Sequence, residues 1–460
     1  NQLFYGRLLE KLKVNAHIYK VGTVKDAVEP YQRNDQSPES KEARRAIYAA
    51  LWEEWQADVK KARPGVKLDA MTADPVGWLR ASGGDMAAAA KAAGLVDRIG
   101  SRVAFGQRVA EVAGEDALDE APGAFAHTGL ATFLAAHPAP SGGKAIGVIT
   151  VAGDIVDGDA APGAAAGDRI ANLLDEALEE DLAGLVVRVD SPGGSVLASE
   201  QIREAIERHK AKGRPVAVSM ANYAASGGYW VATPAARIFA EPSTITGSIG
   251  IFAVIPSFER TLAEVGVTGD GVRTSPLSGQ PDPLTGFTPE VDALFQSTIE
   301  HNYGRFLGLV ATARGKTPQQ IDAMAQGRVW DGGTARQLGL VDEFGGIEQA
   351  VAWVAGQAKL KDGDWHARYL EGDYDPYASM LERLLGDEQE DQAPEAGRDL
   401  FALAAERQRE GLASAWAGAE RLLSARGAQA YCLDCPVRPA PLPRAVEQAG
   451  WRALLGRLFG

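Results

Sequence analysis

The chain has 460 residues, of which 45% are hydrophobic and 23% charged, a composition typical of a globular protein with two or more domains. Its formal net charge of −14 argues against a nucleic-acid-binding function, which requires basic surfaces, and against attraction to an anionic membrane surface. The sequence contains no window of about 20 apolar residues that could span a bilayer.

The N-terminal part of the chain predicts mainly helices. Residues 1–20 indicate a helix followed by a strand, because apolar residues recur first at helical spacing and then in alternation, and Lys25 comes at the end of that strand. Ser37 before a proline is typical of a helix start and predicts a long helix that continues to Arg63. Residues 106–144 are rich in Ala, Pro and Gly with weak periodicity, so we interpret them as a linker or a loosely packed connection.

A fuller α/β unit is predicted to begin at residue 145. Apolar runs predict strands that alternate with amphipathic helical segments, in the order strand 145–151, helix 168–180, strand 185–189, helix 197–212 and strand 215–220. Strict alternation of this kind predicts right-handed βαβ units and a mainly parallel sheet.

The stretch around Ser226 predicts a strand, a tight turn and the start of a helix, because the apolar run 215–220 is followed by small residues. The N–H groups at the start of a helix favour developing negative charge, which suits a nucleophile at this position. The alternative role for Ser226 is that of a helix N-cap.

A serine nucleophile needs a base within hydrogen-bonding reach. The chain has six histidines, none in a recognisable catalytic pattern, and no Gly-x-Ser-x-Gly pattern surrounds Ser226. Lys25 is therefore the candidate base, with an ordinary surface lysine as the alternative. A lysine base must be neutral, so burial has to lower its pKa from about 10.4 towards about 7–8. The neighbouring Asp26 and Glu29 oppose this shift unless their carboxylates point away.

A glycine-containing loop, residues 190–194, follows a predicted buried strand. Glycine lets the backbone approach a ligand and aim its N–H groups at it. We predict that the Gly194 N–H is an oxyanion-hole donor, that Gly193 supports the turn, and that the Ser226 or Gly227 amide is the second donor. A phosphate cradle is the alternative use of such a loop, but the Gly-Lys-Ser/Thr of a P-loop is absent.

Ser248 follows Ser226 by 22 residues, in the small-residue stretch 246–250. Its hydroxyl could hold the neutral amine of Lys25 in place. Ser248 would then be the third residue of the site, the one that orients the base. The alternative is a serine that only serves a turn.

Two parts of the chain repeat each other. Residues 258–267 repeat the pattern of residues 5–14 at an offset of 253, and residues 339–342 repeat residues 94–97 at an offset of 245. At the first offset Lys25 corresponds to Ser278. We therefore predict a site that spans both repeats, in which repeat one donates the base and repeat two the nucleophile.

Four segments of the sequence, in this order along the chain, resemble the signal peptide peptidase A family in its long tandem-repeat bacterial form: residues 9–30, 190–195, 225–230 and 246–252. The resemblance extends from about residue 1 to about residue 435. It implies a serine peptidase with Ser226 as nucleophile, Lys25 as general base and Ser248 as the residue that orients the lysine. It also implies an α/β fold, a ClpP/crotonase-like spiral of βαβ units in two tandem repeats, of which the first is truncated at its N-terminus.

The same resemblance implies partners and a location. We expect a homo-oligomer, by resemblance a homotetramer, held at the bacterial inner membrane with its catalytic part on the periplasmic side. The chain begins at Asn1 within an amphipathic pattern, so an upstream part that carries the membrane anchor is expected to be missing. No metal ion or cofactor is expected, and no nucleic acid.

The predicted organisation has four regions. These are the C-terminal part of the first repeat with the lysine base at 1–105, a linker at 106–144, the second repeat with the nucleophilic serine at 145–355, and a C-terminal tail with a cysteine pair at 356–460. The pair, Cys432 and Cys435, is compatible with a disulfide, half a zinc site or a redox pair. Zinc needs two more ligands and no histidine is near, so a structural pair, oxidised outside the cytoplasm, is the simplest interpretation.

The predicted function is that of a serine endopeptidase that degrades cleaved signal peptides and other short hydrophobic peptides. Two alternatives belong to other classes. A crotonase-like acyl-CoA enzyme would share the fold and the glycine loop, and a catalytically inactive scaffold would keep the fold alone.

Overall fold

A computed structural model describes residues 2–160, 163–370 and 428–432 of the chain. The chain divides into two compact units, a larger one formed by Asn1–Ile47 with Gly143–Gly460 and a smaller one formed by Tyr48–Gly142. The predicted boundaries at 105, 144 and 355 concern sequence repeats and stay predictions. Within the described residues, no helix combines the length and apolarity that crossing a bilayer requires.

The helices of the described residues are α1 Gly6–Lys11, α2 Glu29–Gln32, α3 Pro38–Ala62, α4 Leu68–Ala73, α5 Pro75–Arg80, α6 Met86–Ala92, α7 Arg102–Ala113, α8 Leu130–Ala136, α9 Gly167–Glu176, α10 Val196–Ala211, α11 Gly227–Ala232, α12 Glu259–Glu264, α13 Pro289–Arg314, α14 Pro318–Met324, α15 Gly332–Gln337 and α16 Ile347–Gln357.

The strands of the same residues are β1 Asn15–Val21, β2 Lys144–Ala152, β3 Ile155–Val156, β4 Ala165–Ala166, β5 Leu182–Ser191, β6 Gly193–Ser195, β7 Val216–Ala225, β8 Arg237–Ala240, β9 Ile245–Gly247, β10 Ile251–Ser257, β11 Val329–Asp331, β12 Glu343–Phe344, β13 Trp365–Tyr369 and β14 Gln429–Tyr431.

An eight-stranded sheet forms the centre of the larger unit, in the order β11-β9-β7-β5-β2-β13, with β8 beside β7 and β12 beside β8. The pairs are parallel except for β9 and β11. One face packs against α9, α10, α11 and α13, and the other against α16. Because both faces are covered, the central strands are apolar almost without interruption, as in β5. The predicted α/β class with parallel βαβ units is confirmed.

A six-stranded sheet in the order β1-β10-β14-β6-β3-β4 completes the larger unit. β1 pairs antiparallel with β10 along its whole length, from Asn15 opposite Ser257 to Val21 opposite Ile251. This pairing joins a strand of repeat one to a strand of repeat two. It also carries the chain after Val21 towards the turn between β9 and β10.

The tandem repeat is visible in the backbone hydrogen bonds. The Tyr5 N–H donates to the Pro30 carbonyl at 2.6 Å, and the Phe258 N–H donates to the Pro283 carbonyl at 2.7 Å, at the offset predicted from the sequence. Helix α1 begins at the residue after Tyr5, and helix α12 begins at the residue after Phe258. The repeated sequence pattern therefore forms the same local structure twice.

The smaller unit is helical, and two of its helices overlap the predicted linker at 106–144. α7 begins after Ser101, whose hydroxyl accepts a hydrogen bond from the Ala104 N–H at 3.2 Å. Gly106 of α7 lies so close to Gly123 that a Cβ would come within 1.9 Å of the Gly123 carbonyl oxygen. The two helices are 12 and 7 residues long and lie in a stretch rich in Ala, Pro and Gly, so their helical periodicity gives a weak signal and the sequence pattern did not predict them.

Two predicted boundaries in the larger unit differ from the structure by four residues or more. α9 ends at Glu176 and is followed by a 3-10 turn, whereas the predicted helix continued to residue 180. β7 continues from the predicted end at residue 220 to Ala225, because its last residues pair with β9. This extension brings the strand directly to Ser226.

Candidate active site

Ser226 lies in the sharp turn between β7 and α11, where strand β7 ends beside β9. Its φ of +54° is uncommon for a residue with a side chain, and such conformations cost on the order of 1–3 kcal/mol and need support from their surroundings. The support includes a hydrogen bond from the Ser226 N–H to the Gly247 carbonyl at 2.8 Å. The Ser226 side chain makes no helix-capping bond, so the N-cap alternative does not describe its hydroxyl.

Lys25 is buried beside this serine. Its Nζ lies 3.0 Å from the Ser226 Oγ, although the two residues are 201 positions apart in the chain. The relative exposure of Lys25 is 1% and that of Ser226 is 0%, so the surface-lysine alternative is wrong. The pairing of β1 with β10 explains the approach, because Lys25 follows β1 at the end where Val21 faces Ile251.

Ser248 completes the group of three side chains. Its Oγ lies 3.0 Å and its carbonyl oxygen 3.1 Å from the Lys25 Nζ, and the residue is buried. Parallel pairing of Ala225 with Gly247 sets Ser226 and Ser248 side by side. Ser248 has a φ of +51°, so both serines adopt the left-handed backbone region that glycine usually occupies.

The walls around the Lys25 stem are formed partly by glycines. A Cβ on Gly327 would lie 2.6 Å from the Lys25 Cβ, and a Cβ on Gly250 would lie 3.2 Å from the Lys25 Cδ. The Phe252 ring centroid lies 5.8 Å from the Nζ. Gly327 was not among the site residues predicted from the sequence. The only sequence signal for it is that a glycine lies shortly before strand β11.

The carboxylates next to Lys25 in sequence are bound to helix α3 and its N-terminal end. Asp26 accepts a hydrogen bond from the Ser40 hydroxyl at 2.6 Å and lies 3.5 Å from an Arg44 guanidinium nitrogen. Glu29 accepts a hydrogen bond from the Ser37 N–H at 3.0 Å. Each carboxylate thus has a partner of its own in α3 or directly before it. A carboxylate that is paired elsewhere stabilises the charged form of Lys25 less, and the proposed base must be neutral.

The glycine loop predicted as the oxyanion hole lies against the start of α11. The Gly193 N–H donates to the Ser191 hydroxyl at 3.2 Å, and a Cβ on Gly193 would lie 2.6 Å from the Gly227 nitrogen. A Cβ on Gly194 would come within 1.9 Å of the Ile155 carbonyl oxygen. Gly193 and Gly194 have φ values of +101° and +155°. Glycine is therefore required at both positions by conformation and by space.

A buried carboxylate supports the helix that follows Ser226. The Trp230 indole N–H donates to Glu200 Oε2 at 2.7 Å, and Arg203 binds both oxygens of the same carboxylate at 2.8 Å, while Arg305 also contacts it. Burial raises the pKa of Glu200, but the hydrogen bonds from Arg203 and Trp230 outweigh it and keep the pKa below its usual value. The ionised carboxylate thus ties α10 and α13 to α11.

Comparison with known proteins identifies the family of the chain. The family model described as peptidase family S49 matches residues 1–115 and 208–361. Protease 4 of Salmonella typhi is 40% identical over 397 residues, which are 84% of this chain and 62% of that protein. A putative signal peptide peptidase SppA of Enterococcus faecium is 32% identical over 187 residues, which are 40% of this chain and 54% of that protein.

Among solved structures, a point mutant of ClpP1 from Listeria monocytogenes is similar at 17% identity and a TM-score of 0.30, over 44% of this chain and 94% of that one. The TM-score is below 0.5, so the fold class rests on the sheet topology described above. The chain spans between about half and about three fifths of the length of the two curated relatives. Its two matched segments cover more than half of its residues, and the chain belongs to peptidase family S49.

Proposed function

We propose that the chain is a serine endopeptidase in which Ser226 is the nucleophile and Lys25 the general base. The observation that carries this proposal is the 3.0 Å distance between the Lys25 Nζ and the Ser226 Oγ in a fully buried setting. Burial disfavours a charged amine, and a neutral amine is the form that can accept the serine proton. The names of the relatives, a protease and a putative signal peptide peptidase, support the same activity.

The hydrogen-bonding capacity of a neutral amine fits the three oxygens around it. A neutral amine has two N–H donors and one lone pair. The Ser248 carbonyl can only accept, so one N–H points to it at 3.1 Å, and the second points to the Ser248 hydroxyl at 3.0 Å. The lone pair then faces the Ser226 hydroxyl. In this role Ser248 orients the lysine.

The reaction follows from these positions. The Ser226 Oγ attacks the carbonyl carbon of the scissile peptide bond while its proton moves to the Lys25 amine. The resulting ammonium donates that proton to the departing amine nitrogen, which leaves an acyl group on Ser226. A water molecule then attacks the acyl carbonyl carbon while it gives a proton to the neutral Lys25 amine. The lysine passes that proton to the Ser226 Oγ as the bond from this oxygen to the acyl carbon breaks, which releases the carboxylic acid product and restores the serine hydroxyl. The Gly194 and Gly227 amides stabilise the oxyanion, and loss of one such donor typically costs about 3–4 kcal/mol.

The substrates we propose are cleaved signal peptides and other short hydrophobic peptides. The printed name of the Enterococcus faecium relative supports this class. We further propose a bacterial inner-membrane location through an upstream anchor, a periplasmic catalytic part and a homo-oligomer, expected to be a homotetramer. An acyl-CoA enzyme would have no use for a lysine amine buried 3.0 Å from a serine hydroxyl, so that alternative lacks support.

The proposal is tested by hydrolysis of a fluorogenic apolar peptide by the parent chain and by the Ser226→Ala and Lys25→Ala variants. Both substitutions should lower kcat by at least about 10³-fold, as loss of a nucleophile or its base does in serine peptidases. Full activity in both variants would reject the peptidase assignment. Full activity in Lys25→Ala alone would show that another base serves Ser226.

A further inference from the structure

The turn between α14 and β11, residues 325–328, contains an uncommon backbone conformation. Gln326 in this turn has a φ of +53°. In the described part of the chain, five residues other than glycine have a positive φ, and three of these are Ser226, Ser248 and Gln326. Such conformations persist only where the surrounding structure holds them, and they cluster at active sites. The 325–328 turn is therefore a candidate for part of the site that contains the two serines.

The 325–328 turn binds the backbone at Ser248. The Ser248 N–H donates to the Arg328 carbonyl at 2.7 Å, and the Gly327 N–H donates to the Ile249 carbonyl at 2.8 Å. These bonds follow directly on the antiparallel pairing of β9 with β11. The turn is thus fixed to the end of β9, from which the group proposed to orient the base extends.

The same turn also binds the backbone directly before Lys25. The Val24 N–H donates to the Gln326 carbonyl at 2.9 Å, and the Thr23 N–H donates to the Gln326 amide oxygen Oε1 at 3.2 Å. Strand β1 ends at Val21, so both N–H groups lie beyond its pairing with β10. Gln326 therefore holds the segment before Lys25 with its main chain and with its side chain.

The Gln326 side chain is itself held in one orientation. Its Nε2–H donates to Asp322 Oδ1, and the hydroxyl of the buried Tyr303 donates to the same carboxylate oxygen. The Gln326 N–H donates to the Tyr303 hydroxyl at 3.4 Å. A carboxylate oxygen only accepts and a backbone N–H only donates, so Asp322 on one side and Thr23 on the other determine which way the amide faces.

From these contacts we infer that Gln326 is a positioning residue of the proposed peptidase, whose amide fixes the segment before Lys25 and thereby sets the Lys25 amine on the Ser226 hydroxyl. Catalytic groups must be held within about 0.5 Å of their productive geometry by the residues around them. The inference rests on the proposed function, because Gln326 acts through the proposed base. Repeat two then supplies the nucleophile and also the group that holds the base of repeat one in place.

The experiment measures the rate at which a fluorophosphonate labels Ser226 in the full chain. Gln326→Ala removes the amide and keeps the main-chain carbonyl. It should slow labelling by about tenfold, less than the roughly 100-fold that a shift of about 1 Å costs, because one of the two hydrogen bonds to the segment remains. Labelling of Gln326→Ala at the parental rate would overturn the inference.

The matched control is Gln296→Ala. Gln296 is a half-buried glutamine of α13, and its Nε2–H donates to the Lys20 carbonyl of β1 at 3.5 Å. It thus also joins repeat two to the backbone of repeat one, but five residues before the lysine rather than next to it. Gln296→Ala should label at the parental rate. Equal slowing in the two variants would show that any loss of contact with this segment has the same effect, which would contradict a specific role of Gln326.

A positioning role differs from a general loosening of the turn in its dependence on Lys25. Gln326→Ala added to Lys25→Ala should not slow labelling further, because no amine is left to position. The same tenfold slowing in both backgrounds would show that the substitution reaches Ser226 by another route and would overturn the inference.

Gln326→Asn separates the amide from the conformation of the turn. Asparagine adopts positive φ more readily than glutamine does, so the turn should be at least as stable, but its amide is one methylene too short to reach the Thr23 N–H. This variant should be slowed like Gln326→Ala. A parental rate in Gln326→Asn would show that the reach of the amide is unimportant and would contradict the inference.

Hydrogen exchange tests the inference without any reaction at Ser226. The amides of residues 23 and 24 should lose protection in Gln326→Ala and keep it in Gln296→Ala, and unchanged protection in Gln326→Ala would contradict the inference. If these amides lose protection while labelling of Ser226 is independent of Lys25 in every background, the proposed base is wrong although Gln326 holds the segment. The failure of the proposed function is thereby distinguished from the failure of the inference.

Discussion

Both repeats contain the same arrangement, in which an arginine side chain binds a glycine carbonyl and both oxygens of an aspartate, and we call this arrangement the clamp. The surroundings of the clamp differ between the two repeats. In repeat two, Arg314 at the end of α13 binds the Gly339 carbonyl at 2.7 Å and both oxygens of Asp342. In repeat one, Arg63, just after α3, binds the Gly94 carbonyl at 3.1 Å and both oxygens of Asp97.

The difference between the two clamps lies in their exposure. The Arg314 and Asp342 side chains are 8% and 19% exposed, whereas those of Arg63 and Asp97 are 33% and 81% exposed. The same sequence motif therefore belongs to a core in repeat two and to a surface in repeat one. The division extends to the proposed site, where repeat one contributes a single lysine and repeat two contributes the serine, its orienting partner and the glycine loop.

Among the substitutions that test how repeat two positions the lysine of repeat one, the largest loss of kcat is expected at Gly327. This glycine belongs to repeat two and contacts Lys25. Gly327→Ala adds a Cβ 2.6 Å from the Lys25 Cβ and should displace the amine, and a shift of about 1 Å costs roughly 100-fold in kcat. Gly83→Ala is the matched control, because Gly83 also has a positive φ, +67°, but faces open space. Equal activity in the two variants would mean that Gly327 does not position the lysine.

Loss of the Ser248 hydroxyl is expected to act next. Ser248→Ala removes one of the two groups that hold the Lys25 Nζ and should lower kcat by roughly 10- to 100-fold with little change in KM. Ser278→Ala is the control, since Ser278 corresponds to Lys25 in repeat two and its hydroxyl contacts the nearby Ser275 and Thr274. A Ser248→Ala variant with parental kcat would contradict an orienting role.

The two clamps themselves provide a stability test. Arg314→Gln leaves a largely buried Asp342 carboxylate without its guanidinium, which typically costs about 3–5 kcal/mol. The pKa of Asp97 is held below its usual value by the Arg63 hydrogen bonds, but this pair is in water, so Arg63→Gln should hardly change stability. Thermal unfolding of both variants measures the difference. Similar losses in the two would remove the distinction between core and surface clamps.

The smallest expected effect concerns pH. His209 is buried, its Nε2–H donates to the Leu174 carbonyl at 2.7 Å, and its Nδ1 accepts from Arg214 at 2.9 Å. Burial lowers its pKa in the folded state. The unfolded chain thus binds a proton below about pH 6.5 that the folded chain does not, so the contribution to stability is complete above that pH and falls as the pH drops towards the lowered pKa.

Urea unfolding between about pH 5 and about pH 7.5 measures this effect. His209→Gln should weaken the rise of the unfolding free energy with pH, because glutamine does not titrate. His127 is an exposed histidine of the smaller unit, and His127→Gln should keep the parental pH dependence. A parental pH dependence in His209→Gln would show that another group is responsible.

Local sequence patterns were enough to predict the parallel sheet and the position of Ser226. The apolar patterns that predict alternating strands and helices each lie within a short stretch of sequence. The apolar run 215–220, followed by small residues, likewise predicts a strand and a turn. The end of β7 at Ala225 could not be predicted this way, because it depends on pairing with β9. Strand ends are decided by their neighbours in the sheet.

The meeting of Lys25 and Ser226 has no local signal, since 201 residues separate them. It was predicted from the family resemblance and the repeat, and the roles of both residues stay predictions until activity is measured. The positive φ values of Ser226 and Ser248 were also beyond sequence reasoning, because serine rarely adopts them. Strand β14 was missed for a related reason. It is short, and the register with β6 is set by a partner more than 200 residues away.

The proposed function requires that Lys25 activates Ser226, and the rate of Ser226 labelling by a fluorophosphonate measures that activation without a substrate. We predict that the rate in the parent rises with pH with an apparent pKa far below the value of about 10.4 for a free lysine, and that Lys25→Ala is labelled at least about 10³-fold more slowly. Labelling of Lys25→Ala at the parental rate, with the same pH profile, would contradict the role of Lys25 as the general base.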